Sequence, residues 1–370
     1  MWRREMQAAT YSAAGVDTAQ EEIGLAQLLT HVRKTREFRR SRGIGAQKLD
    51  IGYFANVVDI GHDMGVAITT DGVGTKILVA QMMNKYDTVG IDCVAMNVND
   101  ILCVGAEPLS MLDYIAVRAP NPRLLGEIGK GLLKGAELAR INIAGGELAQ
   151  LRDMLIGVRT NYEFDLVGTA IGAVSLNHLI LGENIREHDI IIGLRSSGIH
   201  SNGLSLARHV IAQHPEIINH HFEGLDNDKT LGEELLTPTH IYVPEVMDML
   251  TQGLDIKALV HITGGGLLNL SRVHSPFGFV IDYLPEPHAI FSILQRLGNI
   301  TEAEMFSVYN MGIGFCVVVG EHDADAVIDT AMRHDVEAYK IGYTVKDKDK
   351  KVIIKPRNLY GLGSKFYSQR

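Results

Sequence analysis

The stretch at residues 87–114, DTVGIDCVAMNVNDILCVGAEPLSMLDY, decides the fold because its hydrophobic period changes in the middle. Its first half predicts a helix over 90–106, since its apolar side chains project within about 100° of one another at helical spacing. These side chains are Ile91, Val94, Val98, Ile101 and Leu102, whereas Asp92 and Asn99 fall on the opposite side. Its second half leads into a strand predicted over 111–117. A helix followed directly by a strand is typical of α/β proteins.

The same alternation continues on both sides of this stretch. Strands are predicted at 66–70 (VAITT) and 164–174 (FDLVGTAIGAV), with an amphipathic helix at 124–140. The segment 141–144 predicts a short strand that runs into a tight turn at Gly145-Gly146-Glu147. A polar segment at 181–189 then separates this region from a second series of strands and helices.

We therefore expect a mixed α+β fold made of two α/β domains. The predicted divisions are residues 1–174, residues 175–345, and a basic tail at 346–370. The tail contains a predicted strand at 351–355 (KVIIK) and a loosely held end.

Composition excludes several classes of protein. The 370 residues contain 35 Lys and Arg against 44 Asp and Glu, a net charge of −9, which argues against a nucleic-acid partner. No apolar run reaches the 18 residues typical of a membrane span, and residues 1–10 lack the apolar core of a secretory signal. The three cysteines show no metal-ligand spacing. We expect a cytoplasmic protein with no membrane partner.

Carboxylates stand near the ends of three predicted elements. Asp71 lies in TDGVGTK (70–76), Asp100 ends NVND (97–100), and Glu147 ends GGE (145–147). Three convergent carboxylates would suit Mg²⁺, which prefers oxygen ligands and bridges phosphates. The first segment lacks the spacing of a Walker A loop, although Lys76 could meet phosphate. The alternatives are a simple turn at 70–76, a solvated helix face at Asp100 and a structural turn at 145–147.

Two further segments resemble anion sites at the starts of helical elements. These are SSGIHSNG (196–203) and HITGGG (261–266). Free backbone N–H groups at such positions favour phosphate, and His200 and His261 titrate in the range useful for proton transfer. Helix capping by Ser201 and Asn202 and structural roles for both histidines are the alternatives. The residues alone thus indicate an ATP- or phosphate-using α/β enzyme.

Seven segments in a fixed order resemble the phosphoribosylformylglycinamidine cyclo-ligase family, which is also called aminoimidazole ribonucleotide synthetase. The resemblance runs from about residue 11 to about residue 342, and FDLVGTAIG (164–172) and GENI (182–185) are closest to its archaeal branch. The seven segments are TDGVGTK (70–76), 87–114, GGE (145–147), SSGIHSNGLSLAR (196–208), LLTPTHIYV (235–243), HITGGGLLNL (261–270) and EMFSVYNMGIGF (304–315).

The resemblance implies a fold, a reaction and a partner. The N-terminal α/β domain would form a homodimer through a shared β-barrel, with the second domain packed beside it. ATP and Mg²⁺ would bind in the cleft between domains. The substrate would be formylglycinamidine ribonucleotide, whose formyl oxygen is phosphorylated by ATP. Attack by the neighbouring nitrogen then closes the imidazole ring in purine biosynthesis, releasing ADP and phosphate.

The resemblance also implies roles for the residues singled out above. Asp71, Asp100 and Glu147 would bind the metal, and His200, Asn202 and Lys76 would act at the reacting centre. A mobile glycine-rich lid would contain Gly43, Gly45 and Gly52. The nucleotide or phosphate would contact Asp71, Gly72, Gly74, Thr75, Asn99, Asp100, Gly145, Gly146, Glu147, Thr263, Gly264, Gly265 and Gly266.

Three departures from the family pattern keep alternatives open. Gln150 and Arg152 replace a carboxylate and a proline, His240 replaces the arginine of P-T-R-I-Y, and the glycine-rich run at 42–55 is looser. Another ATP-using member of the superfamily is the first alternative: a selenophosphate synthetase, a thiamine-monophosphate kinase or the formylglycinamide ribonucleotide amidotransferase. The absence of a cysteine near the glycine run argues against the synthetase, and the chain is too short for the amidotransferase. An ATP-binding homologue that has lost catalysis is the second alternative.

Overall fold

The fold is seen in a computed structural model that describes residues 8–225 and 229–369. Two β-sheets organise these residues. The strands are β1 (Asn56–Gly61), β2 (Met64–Gly72), β3 (Glu107–Val117), β4 (Asn142–Gln150), β5 (Phe164–Ser175), β6 (Ile190–Arg195), β7 (Ile256–His261), β8 (Phe277–Ile281), β9 (Ile313–Val319), β10 (Ala338–Lys346), β11 (Val352–Ile354), β12 (Leu359–Leu362) and β13 (Lys365–Ser368). The helices are α1 (Thr18–Val32), α2 (Glu37–Arg40), α3 (Lys76–Met83), α4 (Val89–Leu102), α5 (Pro122–Ala139), α6 (Leu204–Ala212), α7 (Leu231–Leu235), α8 (Val243–Thr251), α9 (Ala289–Gly298), α10 (Glu302–Val308) and α11 (Ala324–Arg333).

The first sheet has the strand order β1-β2-β5-β3-β4, and its pairings are antiparallel except for that of β3 with β4. Helix α4 packs on β2, β3 and β5, and α5 packs on α4. The two helices approach closely because both contact faces carry glycine. A Cβ atom built on Gly90 would lie 2.3 Å from the backbone nitrogen of Leu132, so only glycine fits there.

The other face of this sheet carries exposed apolar side chains. Strands alternate their side chains between faces, so this row belongs to a single surface. Its members lie on three neighbouring strands: Ile68 of β2, Ile171 of β5, and Leu112 and Tyr114 of β3.

The second sheet has the strand order β13-β12-β11-β8-β10-β6-β9-β7. Strands β7 and β9 are buried along their whole length, as expected for the centre of a domain covered on both faces. Helix α11 packs on β6 and β10. Both predicted sheet-containing domains are therefore present, which confirms the mixed α+β fold.

The C-terminal tail differs from the expectation of a loosely held end. The predicted strand at 351–355 is present as β11, but it is followed by the hairpin of β12 and β13. Phe366 is buried in this hairpin, and its ring lies edge-on to Phe306 of α10. Burial of this aromatic side chain contributes about 1.5–3 kcal/mol to holding the hairpin against the domain.

The segment Gly145-Gly146-Glu147 also differs from its prediction. It lies inside the continuous strand β4 and not in a tight turn. Parallel pairing with β3 from Ser110 to Val117 satisfies its backbone, which overrides the preference of paired glycines for turns. Among the described residues, no helix combines the length and apolarity needed to cross a bilayer.

Candidate active site

The end of β2 is fixed by a side chain of α4. The backbone N–H of Asp71 donates to Oδ1 of Asn97 (3.0 Å), and Nδ2 of Asn97 donates to the carbonyl of Asp71 (3.1 Å). The strand then turns directly into α3 through Gly72, Val73, Gly74 and Thr75. The turn is compact because the Asp71 carboxylate accepts the N–H of Gly72 (2.7 Å) and Gly74 adopts φ +68°.

Asp100 at the end of α4 meets a histidine of the second domain. Its Oδ1 lies 2.9 Å from Nδ1 of His261, and Nε2 of His261 lies 3.5 Å from Nδ2 of Asn99. Since Asn99 Nδ2 can only donate, Nε2 accepts and Nδ1 carries the proton given to Asp100. His261 is fully buried at the end of β7. Asp100 is thus oriented by the imidazole of His261, and its second carboxylate oxygen is left for another partner.

The structure brings Asp71 and Asp100 together. Burial, and after it the negative charge of the nearby Asp100, together raise the pKa of Asp71 to about 6. The ionised form of Asp71 is therefore disfavoured beside Asp100. A divalent cation bound by both carboxylates would stabilise their charged forms. The residues present fit Mg²⁺.

Glu147 lies elsewhere. It pairs with Tyr114 across β3 and β4 and is exposed on the outer face of the first sheet. Asp71 points to the opposite face, where α4 packs, because it is paired with Gly168, on which a Cβ atom would lie 2.6 Å from Asn97 Nδ2. Among the described residues, no group of three acidic, histidine or cysteine side chains is arranged to hold a metal. Gly145 and Gly146 lie on the same edge strand as Glu147.

Lys76 is completely buried and fully hydrogen-bonded. Its Nζ donates to Oδ1 of Asp92 (2.9 Å) and to the carbonyls of His200 (3.1 Å) and Thr237 (2.7 Å). Burial lowers the pKa of the Lys76 ammonium, and the Asp92 carboxylate opposes that shift. With all three donors occupied, the ammonium holds α3 of the first domain to two loops of the second.

Two polar residues of α4, Asp92 and Asn99, are buried against the second domain although the helical pattern places them on the polar side. Asp92 accepts from the backbone N–H and the hydroxyl of Thr239 (2.7 Å each), and Asn99 accepts from the N–H of Tyr242 (2.9 Å). Both lie opposite the apolar stripe, which is typical of a solvated face, yet both are buried. Asp92 and Asn99 are seven positions apart, which places them on the same side of the helix. This spacing is the sequence feature that indicates a shared polar contact surface.

His200 is buried and Asn202 is half-buried near the interface of the domains. The backbone N–H of Ser197 donates to Nε2 of His200 (3.1 Å), so Nδ1 carries the proton of the neutral ring. Burial lowers the pKa of His200 well below its usual value, and the nearby His261 adds to this. Neither His200 Nδ1 nor Asn202 Nδ2 has a partner among the described residues. Of these two residues, Asn202 lies beside the glycine loop, since its Oδ1 would be 3.3 Å from a Cβ atom built on Gly264.

Part of the loop at 263–266 has a left-handed backbone that favours glycine. Gly266 has φ +55°, and a Cβ atom there would lie 2.6 Å from the carbonyls of Phe306 and Tyr309. Thr263 is held through its hydroxyl, which accepts from Asn269 (2.9 Å). Gly264 and Gly265 line a cleft of about 700 Å³ between the N-terminal segment, α10 and the C-terminal hairpin.

Arg272 is a site residue that sequence reasoning missed. It lines the same cleft, its guanidinium lies 4.0 Å from the ring centre of Phe54, and it donates to the carbonyl of Gly52 (3.1 Å). Its positive charge also lowers the pKa of Asp71, against the larger effects of burial and Asp100. No local motif surrounds Arg272 in the sequence, so its role depends on the tertiary structure.

The positions that depart from the family pattern have defined places. His240 Nε2 lies 2.8 Å from Oε1 of the buried Glu245. Gln150 ends β4 and is exposed. In the glycine-rich run, Gly45 is held to β1 because its N–H donates to the carbonyl of Asp59 (2.7 Å).

Thr75, a predicted nucleotide contact, is held to Ser205 of α6 by a hydroxyl contact of 3.0 Å.

Comparison with known proteins agrees with this architecture. The model of the AIR synthase related protein N-terminal domain matches residues 52–174, and that of its C-terminal domain matches residues 186–355. The structure of AaThiL complexed with AMPPCP and TMP has a TM-score of 0.61 at 14% identity and covers 93% of this chain and 96% of that chain. Thiamine-monophosphate kinase from Stenotrophomonas maltophilia has a TM-score of 0.59 at 19% identity, covering 88% and 95%. These structures show the shared fold.

Sequence relatives are much closer. The phosphoribosylformylglycinamidine cyclo-ligase of Methanocaldococcus jannaschii is 46% identical over 91% of this chain and 92% of that protein. The protein of the same name from Methanothermobacter thermautotrophicus is also 46% identical, over 86% and 90%. This chain therefore belongs to the AIR synthase related family, among the relatives named phosphoribosylformylglycinamidine cyclo-ligase.

Proposed function

We propose that this protein closes the imidazole ring of formylglycinamidine ribonucleotide in an ATP-dependent reaction of cytoplasmic purine biosynthesis. The products are aminoimidazole ribonucleotide, ADP and phosphate. The observation that carries the proposal is the electrostatic proximity of Asp71 and Asp100, since the partner of Asp100, His261, directly precedes the glycine loop that lines the cleft. Near-full-length similarity to relatives that bear the name of this activity supports it.

The two carboxylates are the proposed metal site. Mg²⁺ bound by Asp71 and Asp100 would neutralise the charge of the ATP phosphates. His261 holds Asp100 in place through a proton on Nδ1, and Asn97 fixes the backbone of Asp71. Glu147 is not part of this proposed set, because its strand presents it to the opposite face of the sheet.

The remaining groups bind and orient the two substrates. Gly264 and Gly265 line the cleft, and their backbone amides, which donate no backbone hydrogen bond among the described residues, are suited to an anionic group of the ribonucleotide. His200, held neutral by burial, can donate a hydrogen bond through Nδ1 but is a weak acid, so we assign it orientation of a polar substrate atom. Lys76 has a positioning role: it holds the 71–75 turn against the second domain.

The reaction needs a leaving group that an amide oxygen does not provide. Transfer of the terminal phosphoryl group of ATP to the formyl oxygen supplies it, and the amidine nitrogen can then attack the formyl carbon as phosphate departs. Within this scheme the protein contributes mainly proximity and fixed charge.

A homodimer is part of the proposal. Four exposed apolar side chains from neighbouring strands form a row on the open face of the first sheet: Ile68, Ile171, Leu112 and Tyr114. A contiguous apolar face of this kind is typical of an interface. A second copy of the sheet would cover it, as the shared β-barrel of the family implies.

The test is ADP release measured by a coupled assay, with formylglycinamidine ribonucleotide present and absent. Release that depends on both the ribonucleotide and Mg²⁺ is the expected result. ATP binding without ribonucleotide-dependent release would contradict the proposed activity and favour an ATP-binding homologue that has lost catalysis.

A further inference from the structure

The C-terminal hairpin forms a wall of the cleft although it lies outside the region matched by the family models. The second model match ends at residue 355, whereas β12 and β13 occupy Leu359–Leu362 and Lys365–Ser368. The turn between these strands, Gly363 to Lys365, lines the cleft together with Gly264, Gly265 and Arg272. A segment beyond the matched domains thus contributes to the cleft assigned to the ribonucleotide.

The hairpin is held firmly on both sides of Lys365. On the following residue, the backbone N–H of Phe366 donates to the hydroxyl of Ser307 (2.9 Å), and Ser307 itself lines the cleft. On the preceding strand, Gly361 packs on Leu268, where a Cβ atom would lie 2.3 Å from the leucine side chain. Because Phe366 points inward, strand alternation directs Lys365 to the opposite side of the hairpin.

Lys365 differs from most cations of the tail in having no protein partner. Five other cations of the tail each contact a protein partner: Lys346 with Glu187, Lys350 with the Val273 carbonyl, Lys351 with Asp349, Lys355 with the Tyr343 hydroxyl, and Arg357 with Glu302. Within the described part of the chain, Lys365 forms no side-chain hydrogen bond or ion pair, and neither does Lys348. Of these two, Lys365 lines the cleft.

The charges around the cleft restrict where an anion can bind. Asp17, Glu21, Glu22 and Glu304 also line it, and Asp17 and Glu304 accept the backbone N–H groups of Gln20 and Tyr11. A phosphate is repelled by these carboxylates and attracted by Arg272 and Lys365. The amides of Gly264 and Gly265 form no backbone hydrogen bond among the described residues and add two donors to this side of the cleft.

We propose that Lys365 of the C-terminal hairpin binds the phosphate monoester of the ribonucleotide substrate, together with Arg272 and the Gly264–Gly265 amides. The inference rests on the proposed function for the identity of the substrate. Its structural basis is the combination of a cleft, an anchored hairpin and an unpaired ammonium group. Lys365 contacts a group remote from the reacting atoms, so its loss should affect binding and leave the chemical step intact.

The test compares Lys365→Ala with Lys365→Arg and with Lys348→Ala, a matched lysine of the same tail outside the cleft. Loss of one charge-assisted contact should raise KM for the ribonucleotide by about tenfold, with kcat and KM for ATP within about twofold of the parent protein. The arginine variant should recover most of the affinity, and Lys348→Ala should leave all three constants unchanged.

A binding measurement separates failure of this inference from failure of the proposed function. Ribose 5-phosphate, titrated calorimetrically into the full chain, presents the phosphate without the base. If the parent protein binds it but does not turn over the ribonucleotide, the proposed activity fails while the phosphate site stands. If Lys365→Ala binds it as tightly as the parent protein does, or keeps its KM for the ribonucleotide, Lys365 is not a phosphate ligand.

Discussion

The Oδ1 atom of Asp100 lies 2.9 Å from Nδ1 of His261, although the two residues are 161 positions apart in the sequence. This contact joins the end of α4 in the first sheet-containing domain to the end of β7 in the second. It also places the Asp100 charge next to Asp71. Both carboxylates of the proposed metal site thus belong to the first domain, and the second domain supplies the imidazole that orients Asp100.

Asp100→Asn tests this site. The amide oxygen can still accept the His261 proton, so the free energy of unfolding should change by less than about 1 kcal/mol. The lost charge should lower kcat for ribonucleotide-dependent ADP release by at least about 100-fold. Glu147→Gln is the matched control and should stay near the parent rate, because Glu147 is exposed on the other face of the sheet. A near-normal rate for Asp100→Asn would remove Asp100 from the site.

Lys76→Met separates a positioning role from direct contact with phosphate. Removal of the ammonium leaves the buried Asp92 carboxylate without its counter-charge, which should lower the free energy of unfolding by about 3–5 kcal/mol. Lys85→Met, at an exposed lysine, should change it by less than about 0.5 kcal/mol. Urea unfolding measures both variants. Unchanged stability with lost activity would instead support contact between Lys76 and phosphate.

Leu112→Glu tests the proposed dimer. Leu112 lies on the open face of the first sheet with 51% of its surface exposed, so a charge there should not disturb the monomer. It should disfavour association, because burial of an unpaired carboxylate in an interface is costly. Light scattering should then give the mass of one chain for Leu112→Glu and of two chains for the parent protein. Leu133→Glu, on the exposed surface of α5, serves as the control and should remain dimeric.

His200 predicts a pH dependence of stability. Because burial lowers the pKa of His200, the unfolded chain binds a proton at this residue below about pH 6.5 while the folded chain does not. The free energy of unfolding should therefore fall as the pH falls below that value, by up to about 1.4 kcal/mol per pH unit. His200→Asn should make this dependence shallower, since asparagine does not titrate and tolerates the left-handed backbone at this position.

Urea unfolding near pH 7 and near pH 5 measures the effect. His62→Asn is the control, because His62 is exposed and also has a left-handed backbone, with φ +54°. Parallel pH profiles for His200→Asn and the parent protein would show that His200 is protonated equally in both states.

The sequence by itself determined the local elements and the chemistry available to them. The apolar stripe of α4 and the strands around it follow from side-chain periodicity, which is a property of neighbouring residues. Asp71 and Asp100 were predicted as metal ligands because each is a carboxylate near the end of a predicted strand or helix, and Mg²⁺ prefers oxygen ligands. The seven segments in their fixed order then predicted the family to which the chain belongs.

Only the tertiary structure decided which of these groups meet. Lys76 and Asp92 belong to a buried contact between domains, and this depends on the partners Thr237 and Thr239 more than 140 positions away. Glu147 was separated from the other carboxylates by strand pairing, because register assigns a side chain to one face of a sheet and the local sequence does not. The hairpin at Lys365 became part of the cleft through the burial of Phe366 against α10. Periodicity reports the neighbours along a chain, whereas a binding site is made by contacts between distant segments.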